Sequence, residues 1–157
     1  KSIGHNLNKL GLSYVEEISD DEKIISPSDF GLHNALLKKN NQLVFIDFEY
    51  AGWDDPAKTI SDFFFQPAMP IDECHFDLFL SCCVSHISKE KQNLFKKRAR
   101  LLRPLFGLKW CYIVLNPFDR DWVARHPHHT SNGKLYDLQN LRIKYAEKML
   151  KKVIAIC

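Results

Sequence analysis

The spacing of apolar residues changes near Asp72, and this change limits the folds that the chain can adopt. Before Asp72, short apolar runs are separated by polar turns, a pattern typical of short strands. After it, apolar residues recur at the i, i+3 and i+4 spacing of one helical face: Phe76, Phe79, Leu80, Cys83, Val84 and Ile87. The sequence therefore predicts an α+β fold that is predominantly helical, with a small β-hairpin in its first half.

The second half contains signals for further helices. One helix should begin after Ser88, whose hydroxyl can cap it, and should run to about Leu102. Pro104 should kink or interrupt it, and a further apolar helix is expected over 105–115. The polar, aromatic and His-rich residues 119–133 are expected to form a loop. The last helix should present one apolar side: Leu138, Leu141, Tyr145, Met149, Val153 and Ile156.

The first half contains signals for short strands. Residues 23–25 form a candidate strand that leads into a loop over 26–34. The apolar runs at 35–37 and 43–46 flank a polar turn, which predicts a hairpin. Residues 1–10 resemble the last turns of a helix capped by Gly11, and residues 50–70 are expected to be mainly loop and short helix.

Composition limits the function classes. With 157 residues the chain can form a single domain with its own core, and this is the expected organisation (1–157). A net charge of +3 is too weak to indicate a nucleic-acid partner, and the basic residues at 96–103 are expected to form the solvated face of a helix. The five cysteines are odd in number and lack a CxxC pair, which favours a reducing, cytoplasmic setting. No apolar run reaches the length of about 18 residues that a membrane span needs.

Three polar residues around the predicted hairpin form a candidate site. Asp29 lies five residues before Asn34, and Asp47 follows the second apolar run. A phosphoryl-transfer site needs one carboxylate to orient the attacking hydroxyl, and oxygen ligands to hold Mg²⁺ on the nucleotide phosphates. Closure of the hairpin would bring these residues together. The layout therefore predicts an ATP- and Mg²⁺-dependent site.

Three segments carry a family resemblance. The sequence DFGLHN at 29–34, followed by IDFE at 46–49, resembles the catalytic segments of the aminoglycoside phosphotransferase and choline kinase family. The sequence GWDDPA at 52–57 is similar to a G-x-x-P-x-x-D-L-A stretch of that family. In two places the chain departs from the pattern. Pro27 stands where the family usually has His, and the family's later Asp would fall at Thr59, whereas this chain has Asp62.

The resemblance implies roles for individual residues. Asp29 would be the catalytic base, and Asn34 and Asp47 would be Mg²⁺ ligands. Glu49 and His33 are candidate supporting residues. The implied fold is the C-terminal lobe of a protein-kinase-like fold, in which the small β-hairpin carries the catalytic and metal-binding loops. The implied reaction transfers phosphate from ATP to a hydroxyl of a small molecule: an aminoglycoside, a choline-like amino alcohol or a sugar.

The resemblance also implies a missing part. The family's N-terminal nucleotide-binding lobe has no counterpart before residue 23, so this chain by itself is expected to bind ATP weakly and to turn over poorly. The expected partners are the small hydroxylated substrate and that N-terminal lobe. Neither a nucleic acid nor a membrane is expected as a partner, and the formation of a homo-oligomer is left open. The alternatives are a catalytically inactive kinase-fold protein that binds a partner, and a structural helical domain whose loop is similar by chance.

Two other groups of residues are assigned to packing or to solvent. Trp53, Trp110 and Trp122 are expected to pack in the core or at an interface rather than on a substrate. The histidines at 126–129 are expected to lie in a solvent loop, and the cysteines at 74–83 to serve in packing.

Overall fold

The protein is described by a computed structural model that covers residues 18–85, 88–130 and 134–157. The expected helix at 1–10 with its Gly11 cap, and Ile87 of the predicted apolar face, lie outside these residues. The described chain is α+β and mostly helical, with two small sheets, which confirms the predicted class. Its contacts divide it into two compact units, Lys1–Arg103 and Pro104–Cys157.

The first unit contains both sheets, each with two antiparallel strands. Strand β1 (Ile24–Ser26) pairs with β4 (Gly52–Asp54), and β2 (Ala35–Leu37) pairs with β3 (Leu43–Phe45). The second pair is the predicted hairpin, with Ala35 opposite Phe45. Its polar turn is closed by a hydrogen bond of 2.9 Å from the Lys38 N–H to the Gln42 carbonyl. The predictions of the hairpin and of the first strand are therefore confirmed.

The central helix of this unit is α1 (Pro56–Phe65), in which nine of ten residues are buried. Its start follows from its sequence. The Asp55 side chain accepts the Ala57 N–H at 2.8 Å, and Pro56 takes the first turn, where no N–H is needed. Helix α2 (Phe76–Cys83) follows at the predicted place. Three 3₁₀ turns complete the unit: Asp20–Glu22, Leu32–Asn34 and Glu73–His75.

Helix α3 (Lys89–Val114) begins where predicted, since the Ser88 carbonyl accepts the Gln92 N–H at 2.9 Å. Of the two effects expected at Pro104, the interruption is wrong, because the helix continues through this residue for a total of 26 residues, and the kink stays a prediction. Proline removes one backbone donor, and a long helix keeps its hydrogen bonds on both sides of that gap. The boundary between the two compact units nevertheless falls at Pro104.

The basic side chains of α3 correct another expectation. Arg98 pairs with Asp55 at 2.6 Å, Arg100 pairs with Asp77 at 2.8 Å, and Arg103 pairs with Glu73. The Arg103 guanidinium is buried, with its central carbon 3.7 Å from the centre of the Phe76 ring. These arginines connect α3 to the rest of the first unit, so they do not form a simple solvated face.

The second unit contains the end of α3, a 3₁₀ turn (Asn116–Phe118) and three helices: α4 (Arg120–Arg125), α5 (Pro127–Thr130) and α6 (Lys134–Ala155). The last of them was predicted. The loop expected over 119–133 is wrong for residues 120–130. The Asp119 side chain caps α4 by accepting the Trp122 N–H at 2.8 Å, and Pro127 begins α5. Such short helices span too few residues to show a repeating apolar spacing. The composition of the segment therefore indicated a loop.

Two further properties concern the described part as a whole. None of its helices has the length and apolar character needed to cross a membrane. All five cysteines lie in the described residues and have free thiols.

Candidate active site

A tight turn presents Asp29. The Asp29 N–H donates to the Pro27 carbonyl at 2.9 Å, which closes a three-residue turn around Ser28. Ser28 has a φ of 69°, a left-handed value that is uncommon for a residue with a side chain. Its N–H is held at 3.2 Å by the hydroxyl oxygen of buried Ser26. Backbone strain of this kind costs about 1–3 kcal/mol and is concentrated at functional sites.

The residue after Asp29 anchors the loop. The Phe30 ring lies 4.9 Å from the Phe45 ring on β3 and 4.8 Å from the Phe63 ring on α1. Phe63 in turn stacks on Phe79 of α2, with ring centres 4.6 Å apart and planes 7° apart. The loop is thus packed against both the hairpin and the central helix, so the backbone of Asp29 has a defined place.

Two side chains contact the Asp29 carboxylate. His33 Nε2 lies 3.1 Å from Oδ2, and Gln66 Nε2 donates to Oδ1 at 3.1 Å. The Asp29 side chain is 51% exposed, so it remains accessible from outside. His33 was a candidate supporting residue in the sequence. Gln66 was missed, because it is 37 residues from Asp29 and belongs to no motif.

The structure places Asn34 and Asp47 at one end of the hairpin. The Asn34 amide nitrogen donates to the Asp29 backbone carbonyl at 3.0 Å. The Ile46 N–H donates to the Asn34 carbonyl at 2.9 Å, which extends the β2–β3 pairing by one residue. Asp47 follows directly and is exposed, with a φ of 65°. Glu49 is also exposed, two residues further along the chain.

The donor atoms at this end of the hairpin fit a cation that is shared with a ligand. Among the described residues, no group of three or more His, Cys, Asp and Glu side chains could hold a metal ion. Mg²⁺, however, commonly takes one or two protein oxygens and completes its shell with phosphates and water. The Asn34 amide nitrogen donates to a carbonyl, so the amide oxygen is the atom of this side chain that could bind a cation. With the Asp47 carboxylate it offers two hard oxygen donors.

The two positions of α1 that the family pattern concerns, Thr59 and Asp62, have different environments. Thr59 is buried, and its hydroxyl has no hydrogen-bond partner in the described residues. Asp62 is buried and pairs with Lys58 at 3.3 Å, while Lys58 also contacts Asp54 at 2.5 Å. Burial alone would lower the pKa of Lys58, but the bond to Asp54 and the charges of Asp62 and Asp54 outweigh it and raise this pKa. Asp62 thus belongs to a structural ion-pair network.

The tryptophans differ in their surroundings. Trp110 is buried, in agreement with the packing expectation, and Trp122 stacks on His126 with ring centres 4.1 Å apart. Trp53 does not lie in the core, so for this residue only the expectation of a position at an interface stays a prediction. Its side chain is 70% exposed on β4, opposite exposed Ile25 on β1. Both residues of a cross-strand pair point to the same face of a two-stranded sheet, and both side chains on this face are largely exposed.

A cavity of about 1190 Å³ lies in the first unit. Its walls include β1, the start of α1, the end of α2 and the first turns of α3, and they are mostly apolar. Among the described residues, its lining includes Pro27 and Phe30, which lie close to Asp29 in the sequence, but none of the five residues predicted for the site. Charged side chains also line it, among them Asp55 and Arg98.

Comparison with known proteins yields no relative: no protein-family model, curated protein or solved structure matches this chain.

Proposed function

We propose that this chain carries the acceptor and metal side of an ATP- and Mg²⁺-dependent phosphotransferase that acts on a hydroxyl group of a small molecule. One observation carries the proposal. The Asn34 amide donates to the Asp29 backbone carbonyl, and the Ile46 N–H donates to the Asn34 carbonyl, so Asp47, the residue after Ile46, follows directly from this hydrogen-bonded pair. The architecture we propose is the C-terminal lobe of a protein-kinase-like fold.

Asp29 acts on the acceptor. Its exposed carboxylate accepts a hydrogen bond from the attacking hydroxyl and takes the proton late, as the new P–O bond forms and the bond to ADP breaks. Because both carboxylate oxygens already accept hydrogen bonds from protein donors, the group has a defined orientation before the substrate arrives.

Asn34 and Asp47 act on the nucleotide side. Their oxygens would hold Mg²⁺, which when bound neutralises charge on the phosphates. The hairpin sets the places of both residues, because its pairing puts Asn34 opposite Ile46, and Asp47 is the next residue along the chain. Glu49 lies close in sequence and would add negative charge beside the metal or the acceptor.

The exposed carboxylates favour particular acceptors. Asp29 and Glu49 are both exposed, and a surface with this charge attracts cationic ligands. An aminoglycoside or a choline-like amino alcohol therefore fits better than a neutral sugar. A nucleic acid fits poorly, since Arg98, Arg100 and Arg103 are each paired with a carboxylate. Free thiols at all five cysteines agree with a cytoplasmic setting, where ATP is available.

The test is Asp29→Asn in the protein that carries this chain. We expect turnover to fall by about 10²–10⁴-fold, because the amide cannot accept the proton, while the thermal midpoint stays close to that of the wild type. ADP release and ³¹P NMR of the product would be measured over a panel of hydroxylated amines and sugars. Asp77→Asn is the matched control, since Asp77 is an exposed partner of Arg100 and should leave turnover unchanged.

Two outcomes would count against the proposal. Turnover that survives in Asp29→Asn would remove this residue from the reaction. ATP binding by the wild type without ADP release for any acceptor would favour the catalytically inactive interpretation.

A further inference from the structure

We infer that His33 and Gln66 are positioning residues that hold the two oxygens of the Asp29 carboxylate, and that Gly31 is required because it leaves room for both. The inference rests on the proposed function for its kinetic consequences. Its geometric content, a His33–Asp29–Gln66 cluster with a defined hydrogen-bond pattern, can be tested without catalysis.

The orientation of the Gln66 amide is fixed by a neighbour. The Gln66 Oε1 atom accepts the Ala68 N–H at 2.9 Å. A backbone N–H can only donate, so the other side of the amide, Nε2, faces Asp29. Gln66 is 7% exposed and directly follows the buried helix α1, which gives the donor a rigid base. One of its two hydrogens satisfies Oδ1 of Asp29 at 3.1 Å.

The same logic fixes the tautomer of His33. Its Nε2 lies 3.1 Å from Asp29 Oδ2 and 3.2 Å from Gln66 Nε2. Gln66 Nε2 is a donor, and the carboxylate is an acceptor with two oxygens. If His33 donates from Nε2, the Asp29 carboxylate accepts hydrogen bonds from both His33 and Gln66. The two nitrogen atoms then lie close together because they bind the same carboxylate. Because a carboxylate can only accept, we assign the Nε2–H tautomer to neutral His33. Its Nδ1 is buried, and no described residue forms a hydrogen bond with it.

Gly31 makes this arrangement possible because it has no side chain, which leaves room for the His33 ring and the Gln66 side chain. A Cβ atom at position 31 would lie 2.6 Å from His33 Nδ1, 2.8 Å from His33 Cε1 and 3.0 Å from Gln66 Cγ. The glycine has a φ of −175°, an extended value that any residue adopts, so its backbone alone would tolerate a side chain. The imidazole would have to move for a methyl group to fit, and the contact with Asp29 would be lost.

The functional consequence is orientation. A carboxylate with a fixed donor on each oxygen cannot rotate freely, yet each oxygen keeps a lone pair for the substrate hydroxyl. Neither His33 nor Gln66 needs to touch the substrate or the nucleotide. The loss of either donor should therefore lower kcat and leave KM for ATP nearly unchanged.

The first experiment compares His33→Phe, His33→Gln and Gln66→Met in the active protein. Phe fills the space of the ring without a donor, whereas Gln places an amide N–H near the position of Nε2. We expect kcat to fall about 10–100-fold in His33→Phe and Gln66→Met, with KM for ATP within about twofold, and His33→Gln to recover most of the loss. Unchanged kcat in the first two variants, or a His33→Gln variant as slow as His33→Phe, would overturn the inference.

The second experiment measures coupling between positions 31 and 33. Gly31→Ala should lower kcat about as much as His33→Phe does, because the methyl group displaces the ring. In a His33→Ala background the methyl group meets no imidazole, so Gly31→Ala should cause little further loss of kcat there. Losses that simply add would show that Gly31 acts independently of His33.

The third experiment does not depend on activity. ¹⁵N NMR of the histidine rings, assigned by the signal lost in His33→Phe, should show the Nε2–H tautomer in the wild type and a mixture in Asp29→Ala. If this pattern is found but no acceptor is phosphorylated, the cluster stands and the proposed function fails. If the protein is an active kinase but His33 is the Nδ1–H tautomer and the kinetic variants are normal, the positioning inference fails alone.

Discussion

Asp47 illustrates how much a single backbone angle contributes to this site. Its φ of 65° is left-handed, and Asp adopts this region more readily than most residues because its short side chain can bond locally. Ser28, next to Asp29, has a similar φ of 69°. The proposed base therefore lies beside strained backbone and a proposed Mg²⁺ ligand lies in it, and strained residues cluster at functional sites.

The strain at Asp47 can be separated from its proposed role as a ligand. Asp47→Gly removes the carboxylate and relieves the backbone, whereas Asp47→Ala removes the carboxylate and keeps the strain. We expect Asp47→Gly to be more stable than Asp47→Ala by about 1 kcal/mol in urea unfolding. Both variants should require much more Mg²⁺ for half-maximal turnover than the wild type. Equal Mg²⁺ dependence in the wild type and Asp47→Ala would contradict the ligand role.

At the residue scale, local signals predicted part of the site and missed the rest. The approach of Asn34 and Asp47 was predictable, because the two strands of a hairpin with a short loop pair directly. The turn sets which residues of the two strands lie opposite each other. Gln66 was not, since its contact with Asp29 depends on how α1 packs on the loop through Phe30 and Phe63. No spacing rule in the sequence encodes a contact across 37 residues.

At the scale of elements, α1 is the helix on which the first unit depends. Nine of its ten residues are buried, and its two ends make different contacts. Gln66 at its end contacts the proposed base. Asp55 at its start caps the helix and pairs with Arg98 of α3 at 2.6 Å. The cap therefore also connects two helices.

The double role of Asp55 predicts unequal costs for two substitutions. Asp55→Ala loses the cap and leaves the largely buried Arg98 without its partner, so we expect a loss of about 2–3 kcal/mol in unfolding free energy. Asp55→Asn keeps an oxygen for the Ala57 N–H and should lose about half as much. Asp77→Asn, which breaks an exposed pair with Arg100, should cost at most about 1 kcal/mol. Equal losses at all three would mean that burial does not strengthen the Asp55 pair.

The two local errors of the sequence reasoning have different physical causes. Pro104 was expected to kink or interrupt the helix, but α3 continues through it for 26 residues, so the missing donor does not end the helix. Helix α4 has six residues, too few for an apolar period, and its start depends on the Asp119 cap. Long periodic helices such as α6 were predicted correctly because their apolar spacing repeats over several turns.

At the scale of the whole molecule, three groups that are at least partly buried, Lys58, Cys83 and Cys111, make stability depend on pH in the same direction. Burial raises the pKa of the Cys83 and Cys111 thiols above their ordinary value of 9.0. The Lys58 pKa is raised above 10.5, since its carboxylate partners outweigh the effect of burial. In each case the folded chain keeps a proton that the unfolded chain loses. Stability from these groups is therefore complete below pH 9 and falls as pH rises further.

We expect the unfolding free energy, measured in urea between pH 8 and 11, to fall in two stages. The first stage, above about pH 9, reflects the thiols and should be reduced in a Cys83→Ala/Cys111→Ala variant. The second, above about pH 10.5, reflects Lys58 and should be reduced in Lys58→Arg, because arginine keeps the pairs with Asp54 and Asp62 and does not lose its proton in this range. Each variant should change one stage and leave the other in place. The comparison therefore shows which groups cause each stage of the loss of stability. Stability that rises between pH 9 and 11 would show that the folded chain binds fewer protons than the unfolded one, the reverse of what these three environments dictate.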